Sequence, residues 1–154
     1  MNFWQVAAGE GVRDYSEVFT RFGVMLIGGG DPGSFLERPE FYKGHHDWRA
    51  KVVAFAEQVR LDDIVVLKRP HRGKRSPHGE KWEVVAVGRV TGEYGWVKQF
   101  EDVEGWDIQH CRTVEWVQPS SPAYADGLAR GTFRKVHKNE PRDKALQLLD
   151  EGER

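Results

Sequence analysis

Residues 24–33, Val-Met-Leu-Ile-Gly-Gly-Gly-Asp-Pro-Gly, join a short apolar run to closely spaced glycines. Gly28, Gly30 and Gly33 match the G-x-G-x-x-G spacing of a dinucleotide-binding turn. In a dinucleotide-binding fold, the third glycine opens a helix of several turns. Here one proline lies inside the turn and Pro39 follows shortly after it, so a long helix cannot begin there. The stretch therefore predicts a buried strand that ends in a loop.

The glycines of this loop have two interpretations. Without side chains, they allow backbone N–H groups to approach a bound group closely, and the carboxylate of Asp31 is available to accept hydrogen bonds. The alternative is a tight turn that binds nothing. The loop alone does not decide between them.

Apolar patterns on both sides of the loop predict further elements. Strands are expected at residues 2–8, 24–27, 64–68, 82–91, 111–117 and 131–136. Asp14 and Asp47 are expected to cap two amphipathic helices, with Phe19 and Phe22 on the apolar face of the first and Trp48 on that of the second. A terminal helix is expected over 143–150, followed by a frayed tail. The order predicts an α+β fold, a small mixed barrel with helices packed outside.

Composition narrows the class of protein. A chain of 154 residues fits one domain, and its apolar runs are shorter than the roughly eighteen residues of a membrane span. Cys111 is the single cysteine and has no partner for an internal disulfide. The first residues show no basic segment before a long apolar stretch, which predicts a cytoplasmic protein. A formal net charge of -1 argues against coating nucleic acid by charge alone.

Positive charge is nevertheless concentrated between residues 68 and 75, which read KRPHRGKR. This block is a candidate contact for phosphates, and a solvated loop is the alternative. For Arg112, which alternates with apolar residues of a predicted strand, the alternative is an inward structural role. The predicted phosphate-binding residues are Arg69, Arg72, Lys74, Arg75, Lys98 and Arg112.

Gly95-Trp96 and residues 104–117, EGWDIQHCRTVEWV, resemble stretches of the PUA-like superfamily, which includes the YTH, EVE and ASCH domains. Domains of this superfamily bind a nucleobase. The resemblance covers most of residues 1–136. It departs from the YTH domains at Ile27-Gly28, where those domains carry a tryptophan of their aromatic cage. The phrase around Trp106 is most similar to EVE-like, modification-sensing domains at the N-termini of McrBC-type or HNH-type restriction enzymes.

The resemblance implies a PUA-like β-barrel over residues 1–137, followed by a C-terminal helix and tail at 138–154. It implies a module without catalysis, cofactor or metal that binds modified double-stranded DNA, flips out a methylated or hydroxymethylated base, and targets a nuclease or motor NTPase, fused or in trans. The residues expected to bind the base are Trp96, Trp106, Asp107, Ile27, Gly28, Gly30 and Asp31.

Aromatic rings suit this task because stacking on one is worth about 1–3 kcal/mol per base, enough to offset much of the cost of extrusion. Trp96 and Trp106 are expected to sandwich the base, although either can instead be a core residue. Trp82 and Trp116 lie within strand patterns and are expected in the core.

Three other functions fit the same sequence. The base can belong to RNA instead of DNA, or the tryptophans can face a protein partner. An ASCH-type nucleoside amidohydrolase would use Lys98 with Glu101 or Asp102. A metal site at residues 45–47 is disfavoured, because adjacent side chains point apart.

Overall fold

The computed structural model describes residues 1–10, 13–69, 82–103 and 105–153. Ten strands form among them: β1 Phe3–Ala7, β2 Gly9–Glu10, β3 Arg13–Asp14, β4 Val24–Ile27, β5 Ile64–Lys68, β6 Trp82–Val90, β7 Gly95–Trp96, β8 His110–Val117, β9 Ala123–Ala125 and β10 Phe133–Lys135. The helices among these residues are α1 Ser16–Phe22, α2 Pro39–Tyr42, α3 Arg49–Val53, which continues as a π-helical turn Ala54–Gln58, the 3-10 turn Lys98–Phe100, and α4 Asn139–Glu153.

One curled sheet organises the domain. Its strand order is β10-β1-β5-β6-β8-β4, with β7 added to β8 and β9 added to β6. Strand β1 runs parallel to β5, and the other pairs of the sheet are antiparallel. The predicted α+β class is confirmed, and the sheet has the coarse form of a half-barrel.

Apolar side chains cover both faces of the central strands. Val65 and Leu67 of β5 enter the cluster inside the curl, whereas Ile64 and Val66 enter a second cluster on the opposite face. This alternation follows from the period of two along a strand. A strand covered on both faces is apolar throughout, which is why 64–68 reads as a continuous hydrophobic run.

The first helix is confirmed with one exception. Asp14 accepts a hydrogen bond from the Ser16 amide at 2.9 Å, and Gly23 ends the helix in the left-handed conformation with φ 64°. Phe19 is buried as predicted. The prediction for Phe22 was wrong, because 60% of this residue is exposed and its ring contacts only the edge of Phe100 among the described aromatic rings.

The second predicted helix begins at the expected place, and Val52 and Phe55 are buried. Trp48, however, is 46% exposed, so its predicted core position was wrong. It precedes the first turn of α3, and its ring packs on Gly29. The connector before it contains the short helix α2, which the sequence did not predict.

Two tryptophans predicted to lie in the core are partly buried. Trp116 packs against the inner cluster, and its indole N–H donates to the Val24 carbonyl at 2.9 Å. Trp82 packs against the outer cluster. Both rings therefore contribute to the core without being enclosed by it.

The C-terminal helix is longer than predicted and belongs to the core. Helix α4 extends through Glu153, and Ala145, Leu148 and Leu149 are buried against the outer face of the sheet. An ion pair at 3.3 Å between Arg89 and Glu153 ties its last turn to β6. The tail predicted to fray is therefore helical up to this residue.

Helix α4 offers a matched pair of leucines that tests its contribution. Leu149 is 2% exposed and Leu146 is 42% exposed. We expect Leu149→Ala to lower the free energy of unfolding by about 2–5 kcal/mol, because it leaves a cavity under the sheet. Leu146→Ala should cost less than about 1 kcal/mol. Urea unfolding measures both, and equal losses would show that α4 does not pack on the sheet as described.

Candidate functional site

The loop of residues 28–33, called the glycine loop below, lies where three strands meet. Strand β4 ends at Ile27, which is paired with His110 at the start of β8. Trp96 of β7 is paired with the same histidine from the other side of β8. The pairing brings the glycine loop, Trp96 and the segment before β8 to one end of the sheet. The sequence predicted this meeting only through the resemblance.

Side chains from outside the glycine loop hold three of its carbonyls: Trp96 Nε1 donates to Gly30 at 2.7 Å, His110 Nε2 to Gly29 at 3.0 Å and Tyr42 Oη to Gly33 at 2.7 Å. In a planar trans peptide, the N–H points opposite to the C=O. The amides of Asp31 and Ser34 therefore point away from the groups that hold the loop. The glycine loop is thus anchored by its acceptors and presents two amides outward, whereas the amides of Gly30 and Gly33 donate to the carbonyls of Asp107 and Gly30.

His110 is, like Tyr42, a fully buried anchor, with 0% exposure. A carbonyl can only accept, so the proton lies on Nε2, and Nδ1 accepts from the Tyr94 hydroxyl at 2.6 Å. The Tyr94 oxygen in turn accepts the Phe35 amide at 2.9 Å. Burial lowers the pKa of His110, and its bond to Gly29 opposes that shift. The imidazole is therefore neutral in this arrangement.

The glycines are required by the rings and side chains that pack on them. Gly29 has φ 81°, and a Cβ there would collide with the ring of Trp48. A Cβ at Gly30 would collide with the side chain of Gln109. The glycine at each of these positions thus allows a close approach, and the loop is more than a simple turn.

Trp48 forms one wall beside the glycine loop. One edge of its ring packs on Gly29, and nearly half of the residue is exposed. Phe41 lies next to it, with ring centroids 6.5 Å apart, and the guanidinium groups of Arg38 and Arg49 lie 5.3 Å and 5.1 Å from the Phe41 centroid. Sequence analysis missed this aromatic and basic surface. The signal it overlooked was a tryptophan directly after the polar residues 45–47, at the start of the helix.

Trp106 lies on the other side of the glycine loop, near Gly28. Its ring contacts the edge of Tyr15 at 6.2 Å, and the Arg13 guanidinium lies 5.7 Å from its centroid. The Trp106 ring, Ile27 and Gly28 border a cavity of about 20 Å³, which has room for roughly one water molecule. In this conformation, a nucleobase does not fit between Trp106 and Ile27.

Three buried polar atoms around the glycine loop have no hydrogen-bond partner within the described part of the chain. They are the indole N–H of Trp106, the hydroxyl of Tyr15 and Oε1 of Gln109. An unpaired buried polar atom costs about 1–3 kcal/mol. Such a group of atoms is expected where a conformational change or a ligand supplies the missing partners.

The acidic residues predicted to bind the base lie at the exposed rim. Asp31 and Asp107 are both exposed. The Asp107 carbonyl accepts the Gly30 amide at 3.4 Å, and its carboxylate accepts from Gln109 at 3.2 Å. The Asp31 carboxylate remains beside its own outward amide. Of the predicted base-binding residues, Ile27, with 4% exposure, and Gly30 are buried.

The three predicted phosphate-binding residues that the structure describes lie in different environments. Arg69 pairs with Asp14 and with Glu83, the latter at 2.8 Å. Arg112 is 4% exposed and donates to the Phe55 carbonyl at 3.2 Å, which is the inward structural alternative. Lys98 is exposed.

The remaining predicted phosphate-binding residues, Arg72, Lys74 and Arg75, lie outside the described residues. The alternative catalytic residues Lys98, Glu101 and Asp102 are all exposed. Asp47, in the disfavoured metal cluster, pairs with Arg49 at 2.7 Å.

Fold and site together define a small α+β domain that presents a glycine-rich loop among aromatic rings. The chain belongs to DUF8426, a domain family of unknown function, whose model matches residues 32–133. No curated protein sequence matches that of this chain. The matched range includes Trp48, Trp96, Trp106 and His110 but not Gly28–Asp31. Among the described helices, none combines the length and the apolar character that crossing a bilayer requires.

The neutral imidazole makes the fold sensitive to acid. Its folded pKa lies below the unfolded value near 6.5, so the folded state binds fewer protons. Its contribution to stability is complete above about pH 6.5 and is lost progressively as the pH falls below that value. We expect the thermal midpoint to fall with pH in this range, and the slope to be smaller in His110→Asn.

The exposed His46 provides the control for this measurement. His46→Asn should retain the slope of the wild type. An unchanged slope in His110→Asn would mean that the buried imidazole does not cause the acid sensitivity.

Proposed function

We propose that this chain is a PUA-like nucleic-acid-binding module that recognises a modified base flipped out of DNA, bound beside the glycine loop. The observation that carries the proposal is the orientation of the loop: the carbonyls of Gly30 and Gly33 are held by side chains, so the amides of Asp31 and Ser34 face away from those side chains, where a ligand would lie in this proposal. Preorganised donors next to exposed rings suit a planar ligand with a polar edge.

Asp31 has the chemistry to identify the base. Its outward amide donates, and its exposed carboxylate accepts. Cytosine and adenine present an amino group beside a bare ring nitrogen on the Watson–Crick edge, which complements this pair. In the same pose, guanine and thymine place a carbonyl oxygen opposite the carboxylate and an N–H opposite the amide, and both contacts are unfavourable. In this pose Asp31 therefore favours cytosine and adenine.

Aromatic rings supply the faces of the proposed site. Trp48 has an exposed face next to Gly29, and Trp96 is fixed at Gly30 by its indole hydrogen bond. Stacking on such a ring recovers about 1–3 kcal/mol of the cost of extruding a base.

Trp106 closes on the bound base in this proposal. Its buried N–H has no partner among the described residues, and a conformation that supplies a partner would recover the cost of leaving this group unpaired. When the ring turns toward the glycine loop, it leaves the cavity beside Ile27 and its N–H reaches a polar partner. Burial of one methyl carbon is worth only about 0.8 kcal/mol. Closure of the indole ring around that methyl group adds a direct contact to the modification.

The module acts without a cofactor and without catalysis of its own in this proposal. It binds modified double-stranded DNA in the cytoplasm and delivers that recognition to a nuclease or motor NTPase, fused or in trans. The DNA partner is preferred to RNA because of the resemblance to the EVE-like domains of restriction enzymes.

Removing the closing ring tests the aromatic part of the site. We expect Trp106→Ala to weaken binding of a duplex with one methylated cytosine or adenine by about 5- to 150-fold, the value of one stacking contact. Phe22→Ala is the matched control, because Phe22 is also aromatic and is 60% exposed away from the loop. Fluorescence anisotropy measures both, and circular dichroism checks that each variant is folded. Wild-type affinity in Trp106→Ala would remove this ring from the site.

Asp31→Asn tests recognition of the base edge separately. The substitution replaces one accepting oxygen by a donor without changing size. We expect at least about tenfold weaker binding of modified cytosine or adenine and little change for an unmodified duplex, since one bidentate pair discriminates by about 1–3 kcal/mol. Asp143→Asn, at an exposed position of α4, is the control. If both variants bind alike, the base edge is read elsewhere.

A further inference from the structure

A groove of about 450 Å³ lies between α3 and β10, apart from the predicted phosphate-binding residues. Four cationic side chains line it: Lys51, Arg130, Arg134 and Lys135. None of the described residues that line it is acidic. The sequence did not predict this groove, because its walls come from segments that are about eighty residues apart.

Three of the four cationic side chains in the groove lack an ion-pair partner in the part of the protein that the structure describes. Within that part, Lys51, Arg134 and Lys135 have no carboxylate at ion-pairing distance. Arg49 and Arg69, in contrast, each pair with a carboxylate. The groove thus combines a concave shape with excess positive charge, which together attract an anion.

A buried lysine lies close behind the groove. Lys68 is 1% exposed, and its side-chain nitrogen donates to the Ala129 carbonyl. Burial, together with the nearby charges of Arg134, Arg130 and Lys51, lowers the pKa of Lys68 to about 7. A bound anion would relieve this repulsion.

We propose that this groove binds phosphate groups of the DNA strand whose extruded base lies at the glycine loop. The proposal rests on the proposed function and adds the surface that holds the backbone. A guanidinium group provides a planar pair of donors for phosphate oxygens, and the lysines add point charges.

The position of the groove relative to Trp48 supports a shared ligand. Trp48 has helical dihedral angles directly before α3, and Lys51 follows three residues later. Residues three apart on a helix are neighbours, with Cβ atoms about 5–6 Å apart. Lys51 Nζ also lies 4.0 Å from the place where a Cβ on Gly131 would be, at the opposite wall of the groove. One strand can therefore contact Trp48 with a base and Lys51 with a phosphate.

The double variant Lys51→Gln with Arg134→Gln tests this assignment. Both side chains are exposed, so the fold should tolerate the change. We measure the affinity for one duplex with a single methylated base and for the same duplex without it, between 50 and 200 mM salt. Loss of two phosphate contacts should lower the slope of log affinity against log salt by about 2, equally for both duplexes. Affinity at the lowest salt should fall roughly tenfold.

Arg21→Gln with Lys144→Gln removes the same charge from residues that do not line the groove and should leave the slope close to that of the wild type. An unchanged slope in the groove variant, or an equal change in the control, would overturn the phosphate assignment. Failure of the proposed function has a different signature: the wild type would bind both duplexes equally, while the groove variant would still lower the slope.

Inorganic phosphate alone, added to 10 mM as a competitor, should displace little DNA if the groove requires a strand held at both places; complete displacement would show that free phosphate is the ligand.

Discussion

The glycine loop depends on a hydrogen bond from a buried, neutral imidazole to a backbone carbonyl. His110 donates to Gly29 and accepts from Tyr94, whose oxygen accepts the Phe35 amide. Each group in this series has one role that its neighbours dictate, so the loop has little freedom to turn over. Because the carbonyls of Gly30 and Gly33 are fixed on one side, the amides of Asp31 and Ser34 face the other. The outward donors that could bind the polar edge of a ligand are therefore a consequence of the hydrogen bonds made inside the protein.

The sheet was predictable from the sequence because its signal is local. A run such as 64–68 is apolar at every position, since both faces of β5 are covered, and 24–27 is short and apolar for the same reason. Gly23 marked the end of α1 through its need for a left-handed conformation. The two-residue strand β7 was not predictable, because its pairing with β8 depends on a distant partner and not on a pattern of its own.

The errors in the candidate site have a common physical origin. Helical periodicity placed Trp48 and Phe22 on apolar faces, but a helix end extends past the surface it packs on, so terminal residues on that face become exposed. The positive charge at 68–75 is contiguous in the sequence and stays a prediction, whereas the groove is assembled from Lys51 and the segment around β10, which are distant in the sequence. A pattern in one sequence shows neither where a helix extends past the surface it packs on nor which distant segments meet in the fold. His110 was also missed as an anchor, since its role depends on carbonyls brought to it by two other segments.

Arg112 is linked through α3 to both proposed surfaces, the glycine loop with Trp48 and the groove with Lys51, although it lies in neither. Its guanidinium donates to the carbonyls of Phe55 and Ala56 at 3.2 Å and 3.4 Å, within the π-helical turn that continues α3. Such turns leave carbonyls that an ordinary helix would use internally, and they occur often at functional sites. A cation buried at this point fixes the end of the helix whose beginning carries Trp48 and Lys51. Arg112, which the sequence predicted to bind phosphate, thus positions Trp48 and Lys51 in our proposal. The distance between the base contact and the phosphate contact then depends on this buried arginine.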